Sequence, residues 1–230
     1  MRKREEMNRK LSYFHIFVIS LILAAIGASF VCANPVDFVS KSPLGTLGVQ
    51  EKEVAVGDLV TDAVKRAGGT QIVFMSASEL KEVAADIPAG KVSSRKVIVL
   101  LSYPDDLVVV LRLIGSEIRE ALEKSVSAQP NRSLGFLQVA GLKFQFDPNA
   151  KSGGRVGQIT VAGEPLVADR QYEVAMGRSL GNGALGYWRI WGKQNVVRET
   201  KIPFSQAVET FLATTKTVDY SGTNRIIKGS

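Results

Sequence analysis

"DLVVVLRLIGSEIREALEKSV", residues 106–126, changes its hydrophobic period halfway along. Its first half is a run of β-branched and apolar residues without helical spacing, which predicts a buried strand. Its second half places apolar residues on one face of a helix, with Ser116 as a candidate cap and Glu117 near the positive end of the helix dipole. The apolar face consists of Ile118, Ala121, Leu122 and Val126. The stretch therefore predicts a buried strand that leads directly into an amphipathic helix.

The segments on either side of this stretch mix short strands with two more helices. Helical spacing predicts helices in residues 56–69 and 203–215. Apolar runs, alternation and turn residues predict strands in the remaining segments. These are residues 70–75, 96–101, two strands within 136–150 around Ala140-Gly141, a hairpin in 156–167, and 171–177. The order predicts an α+β fold, with a mixed, largely antiparallel sheet and a few flanking helices.

The first 33 residues have the composition of an export segment. Residues 1–10 carry five basic and two acidic side chains, and an uncharged apolar run follows over residues 11–33. The run ends in Val31-Cys32-Ala33, which suits a signal peptidase, but it is also long enough to span a bilayer. A cleaved signal peptide and a retained membrane anchor through residues 11–33 both remain open. In either case the folded part is expected to be exported, in the periplasm or outside the cell.

Composition then limits the chemistry of the rest of the chain. Residues 34–53 contain Pro35, Pro43, Gly45 and Gly48 and are interpreted as a linker. The folded domain is expected over residues 54–227. The one His and the one Cys lie within the first 33 residues, so the domain has no thiol nucleophile, Ser-His dyad or His-ligated metal site. The net charge of +7 comes partly from the leader and shows no basic cluster, so nucleic acid is not an expected partner.

Six segments, in this order, resemble the C-terminal domain of bacterial 5′-nucleotidases and UDP-sugar hydrolases. The similarity extends over about residues 54–227 and includes a similar Arg-Ile near the end. The segments are GDLVTDAVKR (57–66), ADIPAGKVS (85–93), LVVVLRLIGSEIREALEKSV (107–126), FLQVAGLKFQFDP (136–148), VAGEPLVADRQYEVAMG (161–177) and GALGYW (183–188). Each segment is weak alone, but six in sequence make the resemblance specific.

The resemblance implies a division of labour. In the family, a metallophosphoesterase domain holds two metal ions with His, Asp and Asn ligands and performs the hydrolysis, whereas the C-terminal domain grips the nucleotide. We therefore expect an exported, stand-alone and divergent copy of the recognition domain. It would have no catalytic residue, metal site or cofactor of its own. It would act in nucleotide catabolism together with a separately encoded metallophosphoesterase chain.

The first two of the three family pocket loops differ from the family at residues that contact the ligand. The first loop normally has three glycines and an Arg, but here it carries Ser76, Ser78 and Glu79. An acidic residue in place of the Arg repels phosphate. In the second loop the resemblance puts Tyr103 in place of a stacking Phe and Asp105 in place of an Asn, with Asp106 beside it. Tyr103 keeps a stacking face, whereas an ionised Asp accepts hydrogen bonds and donates none.

The third loop, residues 179–191, keeps Gly183, Gly186 and Tyr187 of the family pattern and loses a stacking Phe and an Asp. Ser179 stands for the Phe and Leu185 for the Asp. The candidate ligand-binding residues are Tyr103, Asp105, Asp106, Ser179, Asn182, Gly183 and Tyr187. Structural roles remain open for each: loop-edge packing for the tyrosines, capping for the Asp pair and a turn for Asn182-Gly183. Trp188 and Trp191 are expected to pack in the core, or else to mark a partner surface.

Two functional alternatives also remain open. The domain could bind a small molecule other than a nucleotide, since its loops have changed. It could instead be a membrane-tethered interaction or structural domain that kept only the fold, because a fold does not carry function when the site residues differ.

Overall fold

The computed structural model describes residues 35–229, which contain 12 strands and five α-helices. The signal peptide or anchor predicted for residues 1–33 lies outside the described residues. Among residues 35–229, no helix is both long enough and apolar enough to cross a membrane. The helices are α1 (Ala55–Gly68), α2 (Ser94–Ile98), α3 (Gly115–Val126), α4 (Arg178–Gly181) and α5 (Phe204–Thr215).

The strands form three sheets of three, five and four members. They are β1 (Asp37–Ser40), β2 (Ile72–Ser76), β3 (Gly90–Ser93), β4 (Leu107–Ile114), β5 (Leu137–Ala140), β6 (Leu142–Phe146), β7 (Val156–Val161), β8 (Glu164–Pro165), β9 (Gln171–Gly177), β10 (Val196–Pro203), β11 (Thr217–Val218) and β12 (Ile226–Lys228). The sheet orders are β11-β1-β3, β10-β4-β9-β2-β5 and β12-β6-β7-β8. Most strand pairs are antiparallel, and this confirms the predicted α+β class.

The central sheet is built around β4, the strand of the deciding stretch. β4 pairs antiparallel with β9 from Val108↔Gly177 to Ile114↔Gln171, and β10 pairs with its other edge. β9 pairs parallel with β2. The consecutive residues 108–111 of β4 are buried, so both faces of the sheet are covered there. A strand that is buried on both faces has no need for alternating polar residues, which explains the continuous apolar run.

The step from β4 to α3 follows the sequence prediction, except at the cap. The helix begins at Gly115, so Ser116 lies inside the first turn and makes no side-chain cap. Instead, Glu117 Oε2 accepts the N–H of Ile114 at 2.9 Å. An acid at the third helical position commonly satisfies this N–H, and its charge also suits the helix N-terminus.

Alternation correctly predicted the β5–β6 and β7–β8 strands. β5 and β6 flank Gly141, and in β6 the buried Phe144 and Phe146 alternate with exposed Lys143 and Gln145. The β7–β8 hairpin turns at Ala162-Gly163, both with positive φ. Helices α1 and α5 also lie where helical spacing placed them.

Residues 96–101 form a helical turn and not the strand predicted from their β-branched composition. Val97, Leu100 and Leu101 are buried, whereas Val99 between them is exposed. This i, i+3, i+4 spacing belongs to a helix, and the apolar but exposed Val99 hides it in the sequence.

The interpretation of residues 34–53 as a linker is wrong for residues 37–53. β1 lies between β3 and β11, and Leu44 and Val49 are buried in the hydrophobic core. The partners of β1 are Gly90–Ser93 and Thr217–Val218, far away along the chain. Since pairing over such separations leaves no local pattern, the prolines and glycines dominated the interpretation.

Candidate functional site

Three loops meet at one edge of the central sheet. β2 and β9 run parallel and end there at Ser76 and Gly177, while the antiparallel β4 begins there at Leu107. Strand direction therefore brings together the segments that the sequence identified as pocket loops. We call the segments 76–80, 102–106 and 177–179 the loop junction.

Backbone and carboxylate hydrogen bonds hold the loop junction. Asp106 accepts the N–H of Ser179 at 3.2 Å through Oδ2, and the N–H of Leu107 at 2.9 Å through Oδ1. The N–H of Ser102 donates to the carbonyl of Glu79 at 2.9 Å. The structure thus joins Asp106 and Ser179, two predicted site residues, and adds Glu79.

Gly177 allows two carboxylates to approach one point. A Cβ at this position would lie 2.7 Å from Glu79 Oε1 and 2.8 Å from Asp106 Oδ2. Any side chain there would displace one of the two acids. The close approach of the two oxygens is possible because residue 177 has no side chain.

The electrostatics of the loop junction favour a proton on Glu79. Glu79 is 5% exposed, and burial together with the nearby Asp106 charge raises its pKa well above the usual value. Within the described part of the chain, Glu79 Oε2 has no hydrogen-bond partner. A buried ionised carboxylate without a partner is costly, whereas a protonated carboxyl group can donate.

The second loop leaves its aromatic ring accessible. Tyr103 is 59% exposed and Asp105 is also exposed. The loop is anchored from α5, where the N–H of Phe204 donates to the carbonyl of Asp106 at 3.0 Å and that of Ser205 to Pro104 at 2.9 Å. Tyr103 can therefore offer a stacking face, and its role as a ligand contact stays a prediction.

The ring of Tyr187 is buried and is not exposed at the loop junction. It is 0% exposed, and its ring stacks on Trp191 with centroids 4.8 Å apart. Its hydroxyl donates to the carbonyl of Gly135 at 2.7 Å. The resemblance placed Tyr187 in the ligand pocket, but in this conformation its ring packs in the core and is closed to a ligand.

Asn182 and Gly183 form a turn, as the structural alternative for this pair expected. The N–H of Gly183 donates to the carbonyl of Leu180 at 2.8 Å, and Gly183 has φ +90°. Asn182 lines a separate groove with Arg178, Lys193 and Arg198, and this groove has a volume of about 540 Å³. These two residues therefore shape the third loop, and the structure records no contact of theirs with Asp106 or Glu79.

A second group of carboxylates, one buried and two half-buried, ties the C-terminal segment to α1. Arg225 contacts Asp62 Oδ2 through Nη2 at 2.8 Å and Asp58 Oδ1 through Nε at 3.4 Å. Glu53 Oε2 accepts the N–H groups of Arg225 and Ile226 at 2.8 and 2.9 Å. We call Glu53, Asp58, Asp62 and Arg225 the anchor cluster.

Within the anchor cluster, the pKa of Asp58 is strongly raised. Burial raises its pKa to about 7, opposed by the charge of Arg225 and assisted by that of Glu53. The hydroxyl of Thr223 donates to Asp58 Oδ2 at 2.6 Å. The sequence offered one signal for this cluster, the family-like Arg-Ile at 225–226, but no local pattern that named Asp58.

The described residues offer no donor set for a metal ion. Residues 35–229 contain no His or Cys, and within that range no three acidic side chains gather where an ion could bind. In the loop junction only two carboxylates, those of Glu79 and Asp106, converge on one point, beside Gly177.

Comparisons with known proteins agree with the fold. A sequence model of the family described as 5′-nucleotidase, C-terminal domain, matches residues 18–190. The chain is 30% identical over 148 residues to the trifunctional nucleotide phosphoesterase protein YfkN of Bacillus subtilis (strain 168), covering 60% of this chain and 10% of that protein.

Two solved structures extend the comparison. The 5′-nucleotidase precursor of Thermus thermophilus superposes with a TM-score of 0.75 at 28% identity, covering 93% of this chain and 43% of that one. The NAD nucleotidase of Haemophilus influenzae shares the fold, with a TM-score of 0.70 at 14% identity, over 84% of this chain and 38% of that one. The chain thus spans less than half the length of each relative. The resemblance inferred from the six segments is confirmed, and the chain belongs to the 5′-nucleotidase C-terminal domain family.

Proposed function

We propose that this chain is a non-catalytic recognition or accessory module in nucleotide catabolism, acting with a metallophosphoesterase supplied as a separate chain. The observation that carries the proposal is the loop junction. Its three loops meet at one edge of the central sheet, the resemblance puts Glu79 in the loop where the family has an Arg that contacts substrate, and no imidazole or thiol is present in residues 35–229. A domain of this composition has the framework for recognition without the groups for hydrolysis.

The relatives support the nucleotide part of the proposal. The curated relative is named as a nucleotide phosphoesterase, and two of the similar structures are a 5′-nucleotidase precursor and a NAD nucleotidase. Each of them is more than twice as long as the matched part, so their activities reach this chain only as proposals. Tyr103 is the residue of the loop junction best placed to contact a base, because its ring remains exposed.

Export forms part of the same proposal. The basic start and the apolar run of residues 11–33 would carry the domain out of the cytoplasm. The module would then meet nucleotides and its catalytic partner in the periplasm or at the cell surface.

Phosphate release from AMP, with Mn²⁺ or Co²⁺ present, tests the proposal. The purified chain alone should release no phosphate above the level of a heat-denatured sample. Adding a metallophosphoesterase chain from the same cells should give activity that increases with the amount of this chain. Tyr103→Ala should reduce the increase without lowering the melting temperature, because Tyr103 lies on the surface. Turnover by the purified chain alone would refute the non-catalytic assignment.

One observation favours a second candidate, a small-molecule binding module with its own specificity. An exposed tryptophan lines a groove outside the loop junction, with a volume of about 480 Å³.

A further inference from the structure

The groove lies between the outer face of α3 and the third loop. Glu120, Glu123 and Lys124 face it from α3, at i, i+3 and i+4. Trp188 and Arg189 face it from the loop. We call it the Trp188 groove, and its lining shares no residue with the loop junction.

The third loop turns one of its two tryptophans outward. Trp191 is fully buried, and its indole N–H donates to the carbonyl of Leu180 at 2.9 Å. Trp188 is 65% exposed. Gly183 permits this arrangement, because a Cβ there would lie 2.6 Å from the Cα of Trp188. The close packing of Gly183 against the Trp188 backbone thus helps to keep the Trp188 side chain at the surface.

Backbone strain marks the same segment. Leu185 has φ +58° and ψ +24°, a left-handed conformation that a side chain with a Cβ disfavours. Such strain persists only where the surrounding contacts impose it, and it gathers at functional sites. Here the strained turn lies just before the inward Tyr187 and the outward Trp188.

The Trp188 groove is lined by two acidic and two basic side chains, which differ in the partners they contact. The Arg189 guanidinium lies 5.2 Å from the centroid of the Trp188 ring, and Lys124 Nζ lies 5.2 Å from that of Tyr187. Glu123 accepts the N–H groups of Arg155 and Val156 at 3.1 and 2.7 Å, one through each carboxylate oxygen. These bonds partly satisfy the charge of Glu123, so the two cations oppose mainly Glu120.

We propose that the Trp188 groove binds a planar aromatic ring that carries one anionic group. The ring stacks on Trp188, as aromatic rings do on exposed indoles, and Arg189 strengthens the stack. Lys124 and Arg189 attract the anionic group. Glu120 weakens the binding of ligands with several negative charges, since like charges repel. The inference goes beyond the proposed function and makes no use of the loop junction.

Titration of the full chain with four probes tests the inference. The chain has two tryptophans, and only Trp188 is exposed, so quenching of its fluorescence reports stacking. AMP should bind, adenosine and ATP should bind more weakly, and inorganic phosphate alone should leave the fluorescence unchanged. Calorimetry with AMP should give the same affinity.

Variants locate the ligand. Trp188→Ala should weaken AMP binding about 5- to 150-fold, the usual cost of losing one stack. Trp188→Phe should restore most of it, which a merely structural role would not require. Lys124→Ala should reduce the preference for AMP over adenosine, and Glu120→Gln should strengthen ATP binding. Leu47→Ala, at an exposed apolar residue outside the groove lining, should leave AMP binding unchanged.

Each contrary result overturns the inference. AMP binding that survives Trp188→Ala in a variant with an unchanged melting temperature would refute stacking in the Trp188 groove. If Tyr103→Ala weakens AMP binding and Trp188→Ala does not, the ligand occupies the loop junction, and the proposed function stands without this site. Equal affinities for AMP and adenosine would refute the role of Lys124 and Arg189. No binding of AMP at millimolar concentration would refute the site altogether.

Discussion

The anchor cluster and the loop junction each contain a buried carboxylate, Asp58 and Glu79, but only the buried carboxylate of the anchor cluster has a cation as its ion-pair partner among the described residues. In the anchor cluster, Arg225 contacts Asp58 and Asp62, and Glu53 Oε2 accepts two backbone N–H groups of the C-terminal segment. In the loop junction, Glu79 and Asp106 converge on Gly177, and the structure records no ion pair for either acid. Asp58 and Glu79 are similarly buried, but only Asp58 has a cation beside it.

The difference shows how a buried acid acquires its role. An acid beside a guanidinium can hold two segments together, because the pair attracts and breaking it strands a charge. An acid beside another acid holds a proton, because ionisation of both is unfavourable. The anchor cluster therefore serves stability, whereas Glu79 in the loop junction is buried beside another acid and favours its protonated form.

Removing the cation should produce the largest effect. Arg225→Ala leaves the buried Asp58 and the half-buried Asp62 without their partner, and we expect a loss of about 3–5 kcal/mol in the free energy of unfolding. Urea denaturation measures the loss. The matched control is Lys91→Ala, which removes an exposed ion pair with Asp37 at 3.0 Å and should cost less than about 1 kcal/mol. Equal losses for the two variants would mean that the anchor cluster contributes no more than a surface pair.

The pH dependence of stability should follow Asp58. Its pKa in the folded chain, about 7, lies above the ordinary 3.8, so the folded state binds the proton more tightly than the unfolded state. Stability from this group is full below about pH 4 and is lost as the pH rises through 7. The loss is at most about 4 kcal/mol, since one pKa unit corresponds to about 1.4 kcal/mol.

Asp58→Asn isolates that contribution, because the amide imitates the protonated acid and does not titrate. We expect the unfolding free energy of this variant to change less between pH 4 and 8 than that of the original chain. Denaturation series at several pH values measure both slopes. An unchanged slope would assign the pH dependence to other groups.

Neutralising the loop junction should have the smallest effect, and of the opposite sign. Glu79→Gln removes a buried acid that has no cation, so at pH 8 we expect the unfolding free energy to rise by about 1 kcal/mol. At pH 4 the gain should disappear, because Glu79 is then protonated in both the folded and unfolded chain. Its pKa is raised, so the stability it contributes is likewise lost as the pH increases. A destabilised Glu79→Gln variant at pH 8 would indicate that the charged form of Glu79 has a favourable partner.

Local patterns predicted the elements whose hydrophobic period is complete within one segment. α1, α3, α5 and the strands β2, β4 and β9 lie where spacing placed them. Local patterns failed for β1, whose partners are remote, and for residues 96–101, where Val99 obscures the helical spacing. They could not foresee Glu79 in contact with Gly177 or Arg225 with Asp58, since these pairs are separated by about a hundred residues or more.

The order of the six segments was enough to identify the family, and the absence of His and Cys from residues 35–229 limited the side chains available for catalysis or metal binding. Both conclusions follow from the linear chain, because composition and motif order do not depend on how segments pack. Which tryptophan points outward, which tyrosine is buried and which acids lack a cation were decided only in three dimensions. Solvent exposure and charge partners arise from segments distant in the chain, so no local pattern encodes them.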